Sequence, residues 1–322
     1  MLVHWRCWPW IGMFCALVGL QTVAGTSWLY GQTEAEPLHW DPYGPPTGGA
    51  PDWMPDLPPL PSMSETLWGP GVGTWEALPA GSLFPDYLGN VKASRLAARW
   101  SIEDDEFLEG SLGGHIGLFR LNESPAGIYR RGVQIDVEGA GLVRLNTAEE
   151  RDLESSDFRA GMPIAISLGR LHTRFGYYHL SSHLGDEYLL RNPGATRVNF
   201  VRDVLFAGVG YWLDPRTRVY GETSWAFYSD VSEPWDLMFG VERAPQIGTG
   251  IQGAPFYALH GHLREEVDFG GHVNVEMGWA WRARRDSGLL RLGLFYINGK
   301  STQFAFFQQH EQLYGAGLWY DF

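Results

Sequence analysis

From about residue 94 to residue 322, apolar and polar side chains alternate in short runs with almost no 3.6-residue period. A period of two marks a strand, because successive side chains of an extended chain point to opposite faces. About twelve runs can be marked. They centre on 95–101, 112–121, 131–146, 158–168, 170–184, 197–213, 218–228, 235–243, 256–264, 271–283, 289–298 and 312–322. In the tenth, Val273, Val275, Met277, Trp279 and Trp281 share one face, and His272, Asn274, Glu276, Gly278, Ala280 and Arg282 the other. In the third, Val133, Ile135, Val137, Val143 and Leu145 oppose Gln134, Asp136, Glu138, Arg144 and Asn146. The pattern predicts an all-β antiparallel fold in which one face meets an apolar medium and the other encloses polar groups.

The last eleven residues, QLYGAGLWYDF, sharpen this. Tyr314, Ala316, Leu318, Tyr320 and Phe322 fall on one side, and Gly315, Gly317, Trp319 and Asp321 on the other, with Trp319 the exception to an otherwise small or polar face. Hydrocarbon tolerates neither charge nor an unpaired sheet edge, so strands can cross a bilayer only as a closed barrel. The expected fold is therefore a transmembrane antiparallel outer-membrane β-barrel of about twelve strands, both termini periplasmic, with a narrow lumen largely filled by side chains. The tail resembles the closing strand of bacterial outer-membrane barrels. Its terminal Phe322 resembles the signal read by the outer-membrane assembly machinery, which is thereby an expected partner.

The amino-terminal part divides differently. Residues 1–25 combine His4 and Arg6, an apolar stretch from Ile11 to Leu20, and the small-residue site Val23-Ala24-Gly25, the layout of a cleaved secretory signal. Both cysteines, Cys7 and Cys15, lie inside it, so the mature chain would hold no disulfide, catalytic thiol or Cys-based zinc site. Residues 26–82 hold most of the prolines, with Trp28, Trp40, Trp53, Trp68 and Trp75, and read as a Pro/Trp-rich periplasmic linker or arm. Residues 83–322 are the expected barrel. After the signal no apolar run is long enough for a membrane helix, and mean hydropathy is -0.19, yet aromatic residues make up 14% of the chain. A net charge of -13 argues against nucleic acid, whose phosphates need a basic face. A secreted sandwich or propeller is the competing architecture.

One segment carries candidate chemistry. In LHTRFGYYHLSSHLGDE, residues 171–187, the strand period puts His179, Ser181 and His183 on the face of Leu171, Thr173, Phe175 and Tyr177. That is the lipid side, at the outer-leaflet end if the first strand rises from the periplasm. A serine hydroxyl becomes a useful nucleophile near neutral pH when a base such as histidine stands beside it, and the base works best when a third group orients its ring. Asn199 and Asp203 on the following strand are candidates for that third group, with Asp186 and Glu187 in the intervening loop as rivals. His183, Asp186 and Glu187 are also candidate ligand or rim residues, and a calcium site on the loop carboxylates suits them better than zinc. Polar residues at a strand end can equally mark where the barrel leaves hydrocarbon. His260 and His262 share a strand face and read as rim residues. Arg202, opposite in face to Asp203, is expected in the lumen as a partner of Asp136 or Glu138.

The pair His179-Leu180-Ser181 resembles the His-x-Ser of two families of outer-membrane lipid hydrolases, the phospholipase A and lipid A deacylase types. Those families commonly continue Ser-Asn, whereas Ser182 and His183 follow here. The resemblance implies an acyl-ester hydrolase acting on membrane lipid, with Ser181 as nucleophile, His179 as base, calcium as candidate cofactor and a homodimer as candidate assembly. A channel, transporter or structural barrel is the alternative. FGYYHLSSHLGDEYLLR followed by RVNFVRDVLFAGVGYWL also resembles a bacterial domain-of-unknown-function family of outer-membrane proteins. That likeness is carried by His179, Ser181, His183, Gly185, Asp186, Glu187, Arg202 and Asp203, and it implies location more than activity.

Overall fold

A computed structural model describes residues 73–322, apart from 103–105 and 125–128. The expected signal and almost all of the expected arm lie outside the described residues. Thirteen strands follow in order: β1 (Thr74–Ala77), β2 (Leu96–Ile102), β3 (Phe107–Ser124), β4 (Arg131–Asn146), β5 (Asp152–Leu168), β6 (Leu171–Leu184), β7 (Phe200–Trp212), β8 (Thr217–Ser229), β9 (Trp235–Arg243), β10 (Ala254–Arg264), β11 (Gly270–Arg282), β12 (Leu289–Lys300) and β13 (His310–Asp321). A short helix, α1 (Asp186–Arg191), sits between β6 and β7.

Strands β2 to β13 pair each with the next, all antiparallel, and β13 returns to β2 through Leu318 opposite Ala98. The result is a closed twelve-stranded barrel, which has no free edge. Its strands match the twelve alternating runs, β4 and β9 end to end. The extra strand β1 falls inside the expected arm. At 18 and 16 residues β3 and β4 overhang the rim, and β1 covers the edge of β3 that β2 is too short to reach, pairing Thr74–Ala77 with 119–122. Four residues carry too little period to announce such a strand.

The two faces separate as the alternation requires. Outward lie Leu112, Phe119, Met162, Leu205, Phe239, Val273, Met277, Leu292 and Leu294, all exposed. Such an apolar band would be an aggregation surface in water and is what hydrocarbon requires. Inward lie charged side chains that are buried but matched. Arg291 sits between Glu276 at 2.6 Å and Asp321 at 2.7 Å, and Arg144 between Glu109 at 2.9 Å and Glu311 at 2.6 Å. Arg218 meets Glu242 at 2.6 Å, and Arg159 meets Glu138 at 2.7 Å. Arg202 is in the lumen as expected, but its partner is Asp236 at 3.0 Å rather than Asp136 or Glu138. Asp236 projects inward from β9, whereas Glu138 is taken by Arg159 from the adjacent strand. Trp319 points inward because it packs on the Arg291 guanidinium at 4.9 Å and edge-on to Phe256 at 6.1 Å.

His260 and His262 correct the expectation of rim residues. Both are buried in the lumen, His260 against the Tyr220 hydroxyl at 2.9 Å and His262 across from His272. Alternation along β10 puts both on its inward face, where they are buried.

The lumen is also filled by non-strand chain. Residues 82–95 re-enter it, burying Leu83, Phe84, Tyr87, Leu88, Val91, Lys92 and Arg95. Two cavities beside them hold about 10 Å³ each, room for one water.

Candidate functional site on the outer face

The two residues brought together by the register of β6 and β7 are His179 and Asp203, directly opposite each other. His179 Nδ1 lies 2.9 Å from Asp203 Oδ1, and the Tyr177 hydroxyl donates to the same oxygen at 2.6 Å. Both acceptor bonds form on the outward face, where the His179 side chain is 32% exposed and that of Asp203 20%. An imidazole that donates Nδ1–H to a carboxylate carries its lone pair on Nε2, which makes that nitrogen the base. Ser181 follows two residues on, on the same face, with Phe158 and Val201 as its cross-strand neighbours. On a strand, residues two apart are separated by roughly 6 to 7 Å along the backbone.

A bulge next to Asp203 shapes the surroundings. Asp203 pairs with Tyr228 of β8 while the next residue, Val204, pairs with Ala226, so Phe227 is extra. The slip turns both Phe227 and Tyr228 outward at about half exposure, and the Phe227 ring stands 6.2 Å from that of Tyr177. Bulges often re-aim side chains in this way beside functional sites. The polar trio Tyr177–Asp203–His179 is thereby set in an aromatic surround on the lipid side. Alternation alone could have placed Tyr177 on this face. Its bond to Asp203, and the extra aromatic at Phe227, required the register.

The other candidates are distributed around it. Asn199 donates to Asp230 at 2.6 Å in the neighbouring loop, so of the two rivals it is Asp203 that meets the imidazole. His183 remains on the outward face, its Nδ1 3.5 Å from an Arg197 amine and its ring 6.4 Å from Phe158. Asp186 and Glu187 form the exposed first turn of α1, directly after β6. Helix α1 is moored to β5 instead, through Arg191 to Glu154 at 2.6 Å and to Asp152 at 3.3 Å. The glycine between β6 and α1 is demanded by packing, because a Cβ on Gly185 would lie 1.8 Å from the Leu153 carbonyl oxygen. Among the described residues no group of three or more His, Cys, Asp or Glu side chains converges on one point.

Among solved structures, the chain is similar to the "KdgM porin", at 9% identity and a TM-score of 0.40 over 71% of this chain and 99% of that one. It is also similar to the transport unit of the autotransporter AIDA-I from Escherichia coli, at 12% identity and 0.40 over 76% and 94%. The beta domain of the Bordetella autotransporter Brka gives 11% identity and 0.35 over 78% and 99%. No curated protein matches the sequence. A family model described as "Protein of unknown function (DUF1207)" matches residues 72–322.

Proposed function

The chain belongs to the DUF1207 family, and for this member we propose an acyl-ester hydrolase of the bacterial outer membrane, working on lipid at the outer leaflet. The observation that carries the reading is the Asp203–His179 bond on the lipid-facing side of a closed barrel, with Ser181 two residues further along the same face. A membrane ester reaches that surface without leaving the bilayer.

In this mechanism Ser181 Oγ attacks the ester carbonyl while His179 Nε2 takes its proton. The acyl group is now on Ser181, and His179 returns the proton to the departing alcohol. Water then attacks the acyl-serine by the same proton transfers in reverse order, releasing fatty acid. Asp203 touches neither substrate nor reacting atoms. It is a positioning residue that fixes the ring tautomer and stabilises the imidazolium, with Tyr177 holding the carboxylate in place.

The test is fatty-acid release from labelled phospholipid and from lipid A by the refolded protein in mixed micelles, with and without calcium. Wild type should be active, and Ser181→Ala and His179→Ala inactive. Asp203→Asn should lower kcat by roughly 10²- to 10⁴-fold with KM little changed, since it removes an interaction needed in the transition state. A wild-type barrel that shows heat-modifiable migration yet releases nothing under either condition sinks the proposal.

A further inference from the structure

Two stretches of chain outside the strands enter the lumen, one from each rim. Residues 82–95 enter at the rim that carries the C-terminus and return to it, because β1 before them and β2 after them are both anchored there. Wall side chains hold this loop largely by its main-chain oxygens. Arg218 donates to Pro85 O at 2.8 Å and Asp86 O at 3.0 Å, Asn274 to Gly89 O at 2.7 Å, and Arg291 to Leu88 O at 3.3 Å. The Leu88 N–H donates to Glu242 at 2.8 Å, and Tyr87 stacks on Tyr220 at 3.9 Å. Arg95 folds the loop on itself, donating to Tyr87 O at 2.6 Å and Leu88 O at 2.8 Å.

Residues 301–309 fold in from the opposite rim, with Phe304 and Phe307 packed on Phe200 at 4.9 and 5.6 Å. The two stretches meet at Lys92, whose ammonium pairs with Asp157 and lies 3.4 Å from Gln303 Oε1.

This wall is badly suited to a permanent solid core. Well-packed apolar side chains of similar volume match or exceed buried ion pairs in stability. Charged inward faces suit a lumen that takes up water. The loop is also separable from the strand ladder, because none of residues 82–95 belongs to a strand and its polar bonds to the wall are ones that water can replace.

We propose that residues 82–95 are a movable gate, and that their withdrawal toward the rim holding the termini opens a water-filled conduit for small hydrophilic solutes, cations before anions. Charge sets the preference. Lys92, Arg95 and Asp86 leave together with the loop, so its withdrawal takes a net positive charge out of the lumen. Asp157 and Glu242 lose the Lys92 ammonium and the Leu88 N–H that face them in the closed state. Nothing in this depends on Ser181 or His179, which face the other way.

The experiment uses the full chain with Cys7→Ser and Cys15→Ser, refolded into planar bilayers under a KCl gradient. The starting protein should be closed apart from brief openings. Lys92→Met should raise open probability by roughly tenfold or more, the factor that follows when a closed-state contact worth about 1.4 kcal/mol is lost. Replacing residues 83–92 with a Gly-Ser linker should give steady conductance with a reversal potential favouring K⁺ over Cl⁻. A Cβ on Gly89 would lie 3.6 Å from that of Ala258, within disulfide range, but 2.7 Å from that of His260, so Gly89→Cys/Ala258→Cys is combined with His260→Gly in the Lys92→Met protein, which should close on oxidation and reopen on reduction. If the linker variant lacks heat-modifiable migration, the disulfide pair decides. A folded linker variant as tight as the starting protein, or openings indifferent to oxidation, overturns the gate. Steady conductance that favours Cl⁻ overturns the assignment to cations.

Discussion

Arg291 is fully buried and pairs with carboxylates from β11 and β13, so its removal leaves Glu276 without its cation and Asp321 with Arg95 alone, at 3.0 Å. Breaking such a pair costs about 3–5 kcal/mol, because the remaining charge stays out of water. Arg291→Met should destabilise the barrel by that amount in urea unfolding from lipid vesicles, and adding Glu276→Gln should recover part of the loss. If the single variant unfolds at the wild-type midpoint, the lumen is wetter than the closed structure implies. In the turn between β7 and β8, Asp214 accepts from the N–H groups of Arg216 at 2.7 Å and Thr217 at 3.0 Å and from the Thr217 hydroxyl at 2.8 Å. These bonds, the Arg216 N–H foremost, hold its carboxyl down to about 2. The folded value lies below the ordinary aspartate value of about 3.9, so the turn's stabilisation is complete above that pH and is lost as pH falls through about 2. A carboxyl titration followed by NMR should show a midpoint near 2, and a midpoint near 3.9 would mean that the turn bonds are open in solution.

At the scale of elements, β1 tests the idea that a short strand exists to cover an edge. Deleting Thr74–Ala77 should leave heat-modifiable migration intact, because the twelve-strand closure does not use it. Amide exchange at those N–H groups of 119–122 that face β1 should nevertheless become fast, as that edge of β3 loses its ladder while the pairing with β4 stays. Unchanged protection there would show that some other segment covers the edge. The same scale explains which parts of the candidate site could be read early. The face of His179, Ser181 and His183 follows from alternation and emerges as expected. The choice of Asp203 over Asn199 does not, since alternation puts both on one face and only the register decides which stands opposite His179. Residues 82–95 and 301–309 were likewise illegible as lumen fillers. Their aromatic and basic residues have no period, and only a ring of walls around them makes burial the outcome.

For the whole molecule, the apolar outer band predicts a depth-dependent response to charge. Leu294, midway along β12 and 63% exposed, should tolerate arginine poorly, with Leu294→Arg costing about 2–4 kcal/mol in folding titrations into bilayers. Gln308→Arg, on the exposed loop before β13, should change stability by less than about 0.5 kcal/mol. Equal tolerance at the two positions would remove the bilayer from around β12. The sequence by itself determined the all-β class, a barrel of about twelve strands and which side of each strand faces outward. Those properties are local, being a period of two and the chemistry of alternate residues, and hydrocarbon enforces them strand by strand. Tertiary structure alone decided the register that joins His179 to Asp203, the pairing of Arg202 with Asp236, and the filling of the lumen. Each of these depends on which distant residues closure of the barrel brings to the same height and angle, and no short window of sequence contains that information.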